Sequence, residues 1–168
     1  MRNSLVQMYQ GIYRNQLKVN GLGGTQLSHG GEVVRQYGVK GARELASEGY
    51  QALFEDWLPY YAGVKADVYG LQKTLLRIMA TLDDTCVIHR VGYARAMEVK
   101  EEAMALLKEI PGQAGNDGKG QAGNDEGVMA DLIGHLKTLC EQYASEGISP
   151  GGAADMLALT ILIDSILN

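Results

Sequence analysis

The sequence predicts an all-α protein of about six helices, a multi-helix bundle. Apolar residues recur three and four positions apart along most of the chain, and no segment sustains the period-two alternation of a half-buried strand. The length of 168 residues suits one domain, 1–168, with a real core.

Leu5, Met8, Tyr9, Ile12, Tyr13 and Leu17 place a first amphipathic helix over residues 3–19. Gly21, Gly23, Gly24, Gly30 and Gly31 then mark a flexible connection. They do not make a phosphate-cradling loop, which needs a strand before it and a Gly-Lys-Ser/Thr ending. A second helix is expected over 43–58, stopped by Pro59. The third carries Leu71, Leu75, Ile78, Met79 and Leu82 on one stripe. The fourth covers 93–110 with Glu98, Lys100, Glu101 and Glu102 toward water, and the fifth covers 129–143. The apolar C-terminal segment is the sixth. Trp57, Tyr60 and Tyr61 are expected to close one edge of the core, and His29 and His135 to be surface or packing residues. Between the fourth and fifth helices, 112–119 and 120–127 are two near-copies of Gly-Gln-Ala-Gly-Asn-Asp. The eight-residue period has no apolar anchor and no EF-hand spacing, so 111–127 reads as a mobile, low-complexity surface insertion without chemistry.

The net charge of −5 and the lack of a basic stripe argue against nucleic acid as a partner. Cys86 and Cys140 are far apart and form no CxxC, which suggests a reducing compartment and no zinc site. No long apolar run follows Arg2, so no signal peptide is expected, and the apolar block containing Asp164 is too short to span a bilayer. A soluble, cytoplasmic chain is the expectation.

Three polar clusters could carry chemistry. Ser149-Pro150-Gly151-Gly152 opens the C-terminal helix, with Pro150 at the first helical position and Ser149 as its cap. The two glycines leave first-turn N–H groups uncovered, and such groups attract anions. Asp155 follows one turn deeper among apolar neighbours, where a carboxylate has to be paired, protonated or bound to a ligand. The second cluster is Asp83-Asp84-Thr85-Cys86 with His89-Arg90. On a continuous helix, Asp83 and Arg90 would share one face and Thr85 and His89 another. Paired aspartates beside His and Arg suit a magnesium-bound polyphosphate. Equally, one aspartate could be an N-cap after a helix break, with Arg90 as its partner. The third cluster, Tyr37-Gly38-Val39-Lys40-Gly41-Ala42-Arg43, is either a cationic turn near an anionic ligand or a solvated helix corner.

In this order the three clusters resemble the triphosphoribosyl-dephospho-coenzyme A synthase family, which serves citrate lyase and malonate decarboxylase. The similarity runs from about Leu5 to the C-terminus and covers what looks like the C-terminal half of a longer synthase. The resemblance implies a helical transferase that joins the 5-triphosphoribosyl group of ATP to the 2′-hydroxyl of 3′-dephospho-coenzyme A and releases adenine. On this chain it implies Asp83, Asp84 and Asp155 as catalytic carboxylates, with Asp83 and Asp84 also on magnesium. Lys40, Arg43, Thr85, His89, Arg90, Ser149, Gly151 and Gly152 become substrate contacts. The family pattern is broken by Glu44-Leu45-Ala46, by Cys86 where Asn is usual, by Val91 in place of the first of two glycines, and by Ala153 in place of Ser. The partner implied is a polypeptide carrying the other half, or a second copy. The alternative is a truncated or decayed helical homologue that acts as a binding module.

Overall fold

The computed structural model describes residues 28–110 and 125–167. The predicted helix over 3–19 lies outside the described residues, as do positions 111–124 of the duplicated segment. The described residues form eight α-helices and one π-helical turn, with no strand. They are α1 (His29–Tyr37), α2 (Ala42–Ser47), a π turn (Leu53–Trp57) leading into α3 (Leu58–Val64), α4 (Gly70–Thr81), α5 (Thr85–Val91), α6 (Tyr93–Glu109), α7 (Asp125–Glu146) and α8 (Gly151–Leu167). The all-α expectation holds. No helix among the described residues is long and apolar enough to cross a membrane.

Helix α4 is the centre of the core. Its Leu76, Ile78 and Met79 are buried, and it packs against α6, α8 and α3. Leu71 of the predicted stripe is instead half exposed. Two buried threonines lie inside this packing. The hydroxyl of Thr74 donates to the Gly70 carbonyl at 2.7 Å and that of Thr160 to the Met156 carbonyl at 2.7 Å, so neither is orphaned. Trp57 is fully buried rather than at an edge, and its indole N–H donates to Thr81 Oγ1 at 2.9 Å, tying the π turn to the end of α4.

Four departures from the predicted elements have local causes. Gly30 and Gly31 are not a linker but the first turn of α1, because Ser28 caps it by accepting the Gly31 N–H at 3.3 Å while Val33 anchors its inner face. The predicted 43–58 helix is cut in two at Gly49, whose φ of 83° ends α2. The Gly49 N–H donates to the Ala46 carbonyl at 3.1 Å and the Tyr50 N–H to the Leu45 carbonyl at 2.7 Å, a Schellman closure. Pro59 does not stop the following helix. The Leu58 N–H reaches back to the Leu53 carbonyl, five residues away, and this wide turn loosens the carbonyl ladder just where the proline ring needs room. Finally, α7 begins at Asp125, so the last three residues of the predicted insertion are helical.

Helices α6 and α7 are clamped by charge. Arg95 donates to Glu146 at 2.7 Å and to Glu102 at 2.8 Å, while the Tyr143 hydroxyl donates to Glu102 at 2.6 Å. Glu102 and Lys100 therefore serve neighbouring elements rather than water, whereas Glu98 and Glu101 are exposed as expected. The bond from Arg95, then that from Gln142, holds the Glu146 carboxyl below its ordinary 4.5. Desolvation, then the bond to Glu102, pushes the Tyr143 phenol well above its ordinary range. With the Glu146 value depressed, the unfolded chain binds more protons in the interval between the two values. Stability is therefore complete above the unfolded value and is lost as pH falls through the folded one. Urea unfolding should accordingly show stability falling as the pH drops below the ordinary carboxylate value of 4.5. Arg95→Met should flatten that slope, and an unchanged slope would show that the clamp is not the acid-sensitive contact.

Candidate functional site

The site is organised by one carboxylate. The chain leaves α4 through Leu82, whose ψ of 138° is extended, and Asp84 takes the N-cap position of α5. Asp84 Oδ1 accepts the N–H of Cys86 at 2.9 Å and that of Val87 at 3.4 Å. Its Oδ2 accepts the N–H of Ala153 at 2.9 Å, in the first turn of α8. One side chain thus caps two helices, and the positive ends of both helix dipoles face its negative charge. The break at 82–84 decides between the two readings of this run: Asp84 is an N-cap after a helix break. Arg90 is bonded to the Gly147 carbonyl rather than to Asp84, and the face that Asp83 and Arg90 would share on a continuous helix is not formed. Asp83 turns to α6 instead and pairs with Lys100 at 2.6 Å.

The anion expected at the bare first turn of α8 is therefore Asp84 itself. A Cβ on Gly152 would stand 2.9 Å from Oδ1 and 3.1 Å from Cγ of Asp84, so only glycine admits this approach. The helix begins at Gly151, one residue later than expected. Pro150 is its N-cap residue, and the Pro150 carbonyl accepts the Ala154 N–H at 3.0 Å. The capping side chain comes from Asp84 and not from Ser149, whose carbonyl accepts the Gly151 N–H at 2.8 Å.

The third cluster closes on the same place. Thr85 lies between the starts of α1 and α2. A Cβ on Gly41 would be 2.7 Å from Thr85 Cγ2, and one on Gly30 would be 3.3 Å from Thr85 Oγ1. One turn along α5, the His89 ring stacks on His29, with centroids 4.2 Å apart and planes at 14°. Arg43 donates to Ser28 Oγ at 3.3 Å, and Arg90 donates to the Gly147 carbonyl at 3.4 Å. The structure thus brings Asp84, Thr85, His89, Arg90, Arg43, Gly151 and Gly152 onto one surface. Lys40 is held apart at the α1–α2 corner by Glu48, at 2.6 Å.

Asp155 is exposed, contrary to the expectation of a buried carboxylate. The buried face of α8 runs through Gly152, Ala153, Met156, Thr160, Ile163 and Asp164, which leaves position 155 outside. The buried carboxylate of this helix is Asp164, paired with Lys65 at 2.8 Å. Cys86 sits against Gly151 and Gly152. Desolvation and the charges of Asp84 and Asp155 raise its thiol above the ordinary 9.0, against the Gly152 N–H and Arg90, so it stays neutral near pH 7 and is no activated nucleophile. Ser28, Gly30 and His29 are the site-forming residues that sequence reasoning missed. A serine ahead of Glu32, Val33 and Val34 was the signal, hidden by the helix-poor Gly30-Gly31.

Behind Asp84 a crevice is lined by Met79, Leu82, Val87, Met97, Lys100 and Pro150, but its space of about 10 Å³ suits at most one water. No group of three or more His, Cys, Asp or Glu residues that could hold a metal ion occurs among the described residues.

Gly152→Ala should destabilise the chain by about 1–3 kcal/mol in urea unfolding, because the new methyl must displace the Asp84 carboxylate. Asp84→Ala should cost about 1–2 kcal/mol for each of the two helix starts it uncaps. The double variant should be clearly less destabilised than the sum of the two. Additive effects would mean that the two residues do not act on each other.

A family model described as ATP:dephospho-CoA triphosphoribosyl transferase matches residues 4–168. A relative from Pseudomonas syringae pv. tomato, named probable 2-(5''-triphosphoribosyl)-3'-dephosphocoenzyme-A synthase, is 39% identical over 147 residues, covering 84% of this chain and 45% of its own. A relative of the same name from Stutzerimonas stutzeri is 38% identical over 145 residues, covering 83% of this chain and 44% of its own. No solved structure matches. The chain spans about half the length of the curated relatives it matches. By the match over nearly its whole length, this chain belongs to the ATP:dephospho-CoA triphosphoribosyl transferase family.

Proposed function

We propose that this chain supplies one wall of a site that transfers the 5-triphosphoribosyl group of ATP to 3′-dephospho-coenzyme A. The observation that supports this reading above others is the meeting of three separated motif runs at the Asp84 clamp, in a chain of this family. In that reaction the bond from C1′ to adenine breaks and a bond from C1′ to the acceptor 2′-oxygen forms. The acceptor hydroxyl gives up its proton, and adenine leaves with the bonding electrons. Positive charge develops at C1′, as in glycoside cleavage, so the site has to hold the triphosphate, stabilise that charge and take a proton.

The exposed residues divide naturally among these tasks. Arg43 and Arg90 are cations on the open surface that suit phosphate oxygens. Thr85 and His89 offer hydrogen bonds beside them. Asp155 is the carboxylate left open at this surface, suited to face the sugar or to take the acceptor proton. Ser149 and Gly151 bring backbone close, whereas Gly152 is buried against Asp84 and serves by admitting it. Asp84 is committed to three N–H groups and acts as a positioning residue that fixes the starts of α5 and α8. Asp83 would act only after exchanging Lys100, and Lys40 only after exchanging Glu48, a surface pair of little cost.

The donors do not fit a resident magnesium ion, because Asp84 is occupied by backbone and Asp83 by Lys100. Magnesium would suit this surface only as an ion carried in on the phosphates of ATP, and no step is assigned to it. The openness of the surface fits a site completed by the remaining half of the family polypeptide. Substrates of this kind suit a chain that works in the cytoplasm.

Calorimetric titration with ATP, with and without magnesium, and with dephospho-coenzyme A tests this reading. Saturable ATP binding, weakened about tenfold by Arg90→Ala and by Arg43→Ala, is the expected result. Binding indifferent to both arginines, or no binding by the folded chain even beside the remaining half of a relative, would overturn it.

A further inference from the structure

We propose that a helix of the remaining family polypeptide packs across the outer ridge of α8 formed by Ala154, Ala158, Leu162 and Ile166, and so closes the site beside Asp155. The inference rests on the reading of this chain as one wall of that site, and it names the surface by which the other wall is held.

Helix α8 is apolar nearly all round, but among the described residues only one side of it is covered. Gly152, Ala153, Met156, Thr160 and Ile163 face the core. Positions 154, 158, 162 and 166 are all exposed, and at Leu162 and Ile166 the exposure reaches 53% and 56%. Spaced four apart, they form a single i±4n ridge about 18 Å long, the row that helices use when they pack ridge into groove at about −50°. Two alanines at its head allow a close approach of backbones, and two large aliphatic side chains at its tail supply apolar area. A contiguous row of this kind on a surface marks a protein contact.

Two observations identify the occupant. The relatives are about twice as long as the matched region, with 45% of the Pseudomonas syringae pv. tomato chain covered, so more than half of a family polypeptide has no counterpart among these residues. The ridge is also continuous with the site. Ala154 adjoins Asp155, and the turn before it is held by Asp84 through the Ala153 N–H. A helix laid along the ridge would therefore take Asp155, beside the head of the ridge, out of bulk water.

The test co-expresses this chain, tagged, with the part of the Pseudomonas syringae pv. tomato relative that lies outside the 147-residue match. Association is read by co-purification and by light scattering. The wild-type chain should form a one-to-one complex, and Leu162→Glu should weaken it at least tenfold. Circular dichroism of the variant alone checks its fold, and Ala158→Arg serves if Leu162→Glu does not fold. The proposal is overturned if no complex forms with the wild-type chain, or if both substitutions leave the complex unchanged. It is overturned equally if the chain alone is a dimer that Leu162→Glu dissolves, since a second copy then owns the ridge. ATP titration separates the two readings. A ridge-dependent complex that binds no ATP keeps the docking surface and removes the proposed reaction, whereas ATP binding with an indifferent ridge does the reverse.

Discussion

A single carboxylate shared by two helix starts is the constraint on which the rest of the site depends. An N-terminal turn carries unpaired N–H groups and a partial positive charge, and normally each helix finds its own cap. Here Asp84 serves α5 with one oxygen and α8 with the other. The arrangement is possible because Gly152 has no side chain and because the chain turns extended at Leu82, freeing Asp84 from α4. Two motif runs far apart in sequence become one structural unit through the bond from the Ala153 N–H, while the other two bonds hold Asp84 at the start of α5.

The clamp also sets what each neighbour is free to do. With α5 fixed, Thr85 fills the gap between Gly30 and Gly41, and His89 meets His29 one turn on. With α8 fixed, Asp155 and the outer ridge face outward together. The residues that hold the surface are therefore distinct from those that remain available on it. Asp84, Gly152 and Thr85 hold it; Asp155, Arg43, Arg90 and His89 are exposed. Motif membership alone does not make that division, since both kinds of residue lie in the same short runs.

Much of the fold was legible in the sequence, and the errors in element boundaries around 29–64 share one cause. Helix α6 begins at Tyr93 and ends within one residue of its predicted end, because a long amphipathic pattern decides such a segment locally. Short helices escape a local reading where glycine or proline stands inside them. Gly30 and Gly31 are tolerated in α1 because Ser28 caps the turn and Val33 is buried, and Pro59 is tolerated because a wide π turn precedes it. In each case a contact or a backbone register outweighs the propensity of a single residue.

By itself the sequence determined the all-α class, the long helices and the three runs that carry the family likeness, because periodicity and residue type are local properties. It also left Asp84 as either a metal-facing carboxylate or a cap, and it put Asp155 inside. Only the tertiary structure decided those points. Whether a carboxylate is buried, open or already bonded depends on which helix face meets the core and on which distant N–H groups come within 3 Å, as Ala153 does for Asp84 at 2.9 Å. Spacing along a chain cannot carry that information, because the partner of Asp84 lies on a different helix.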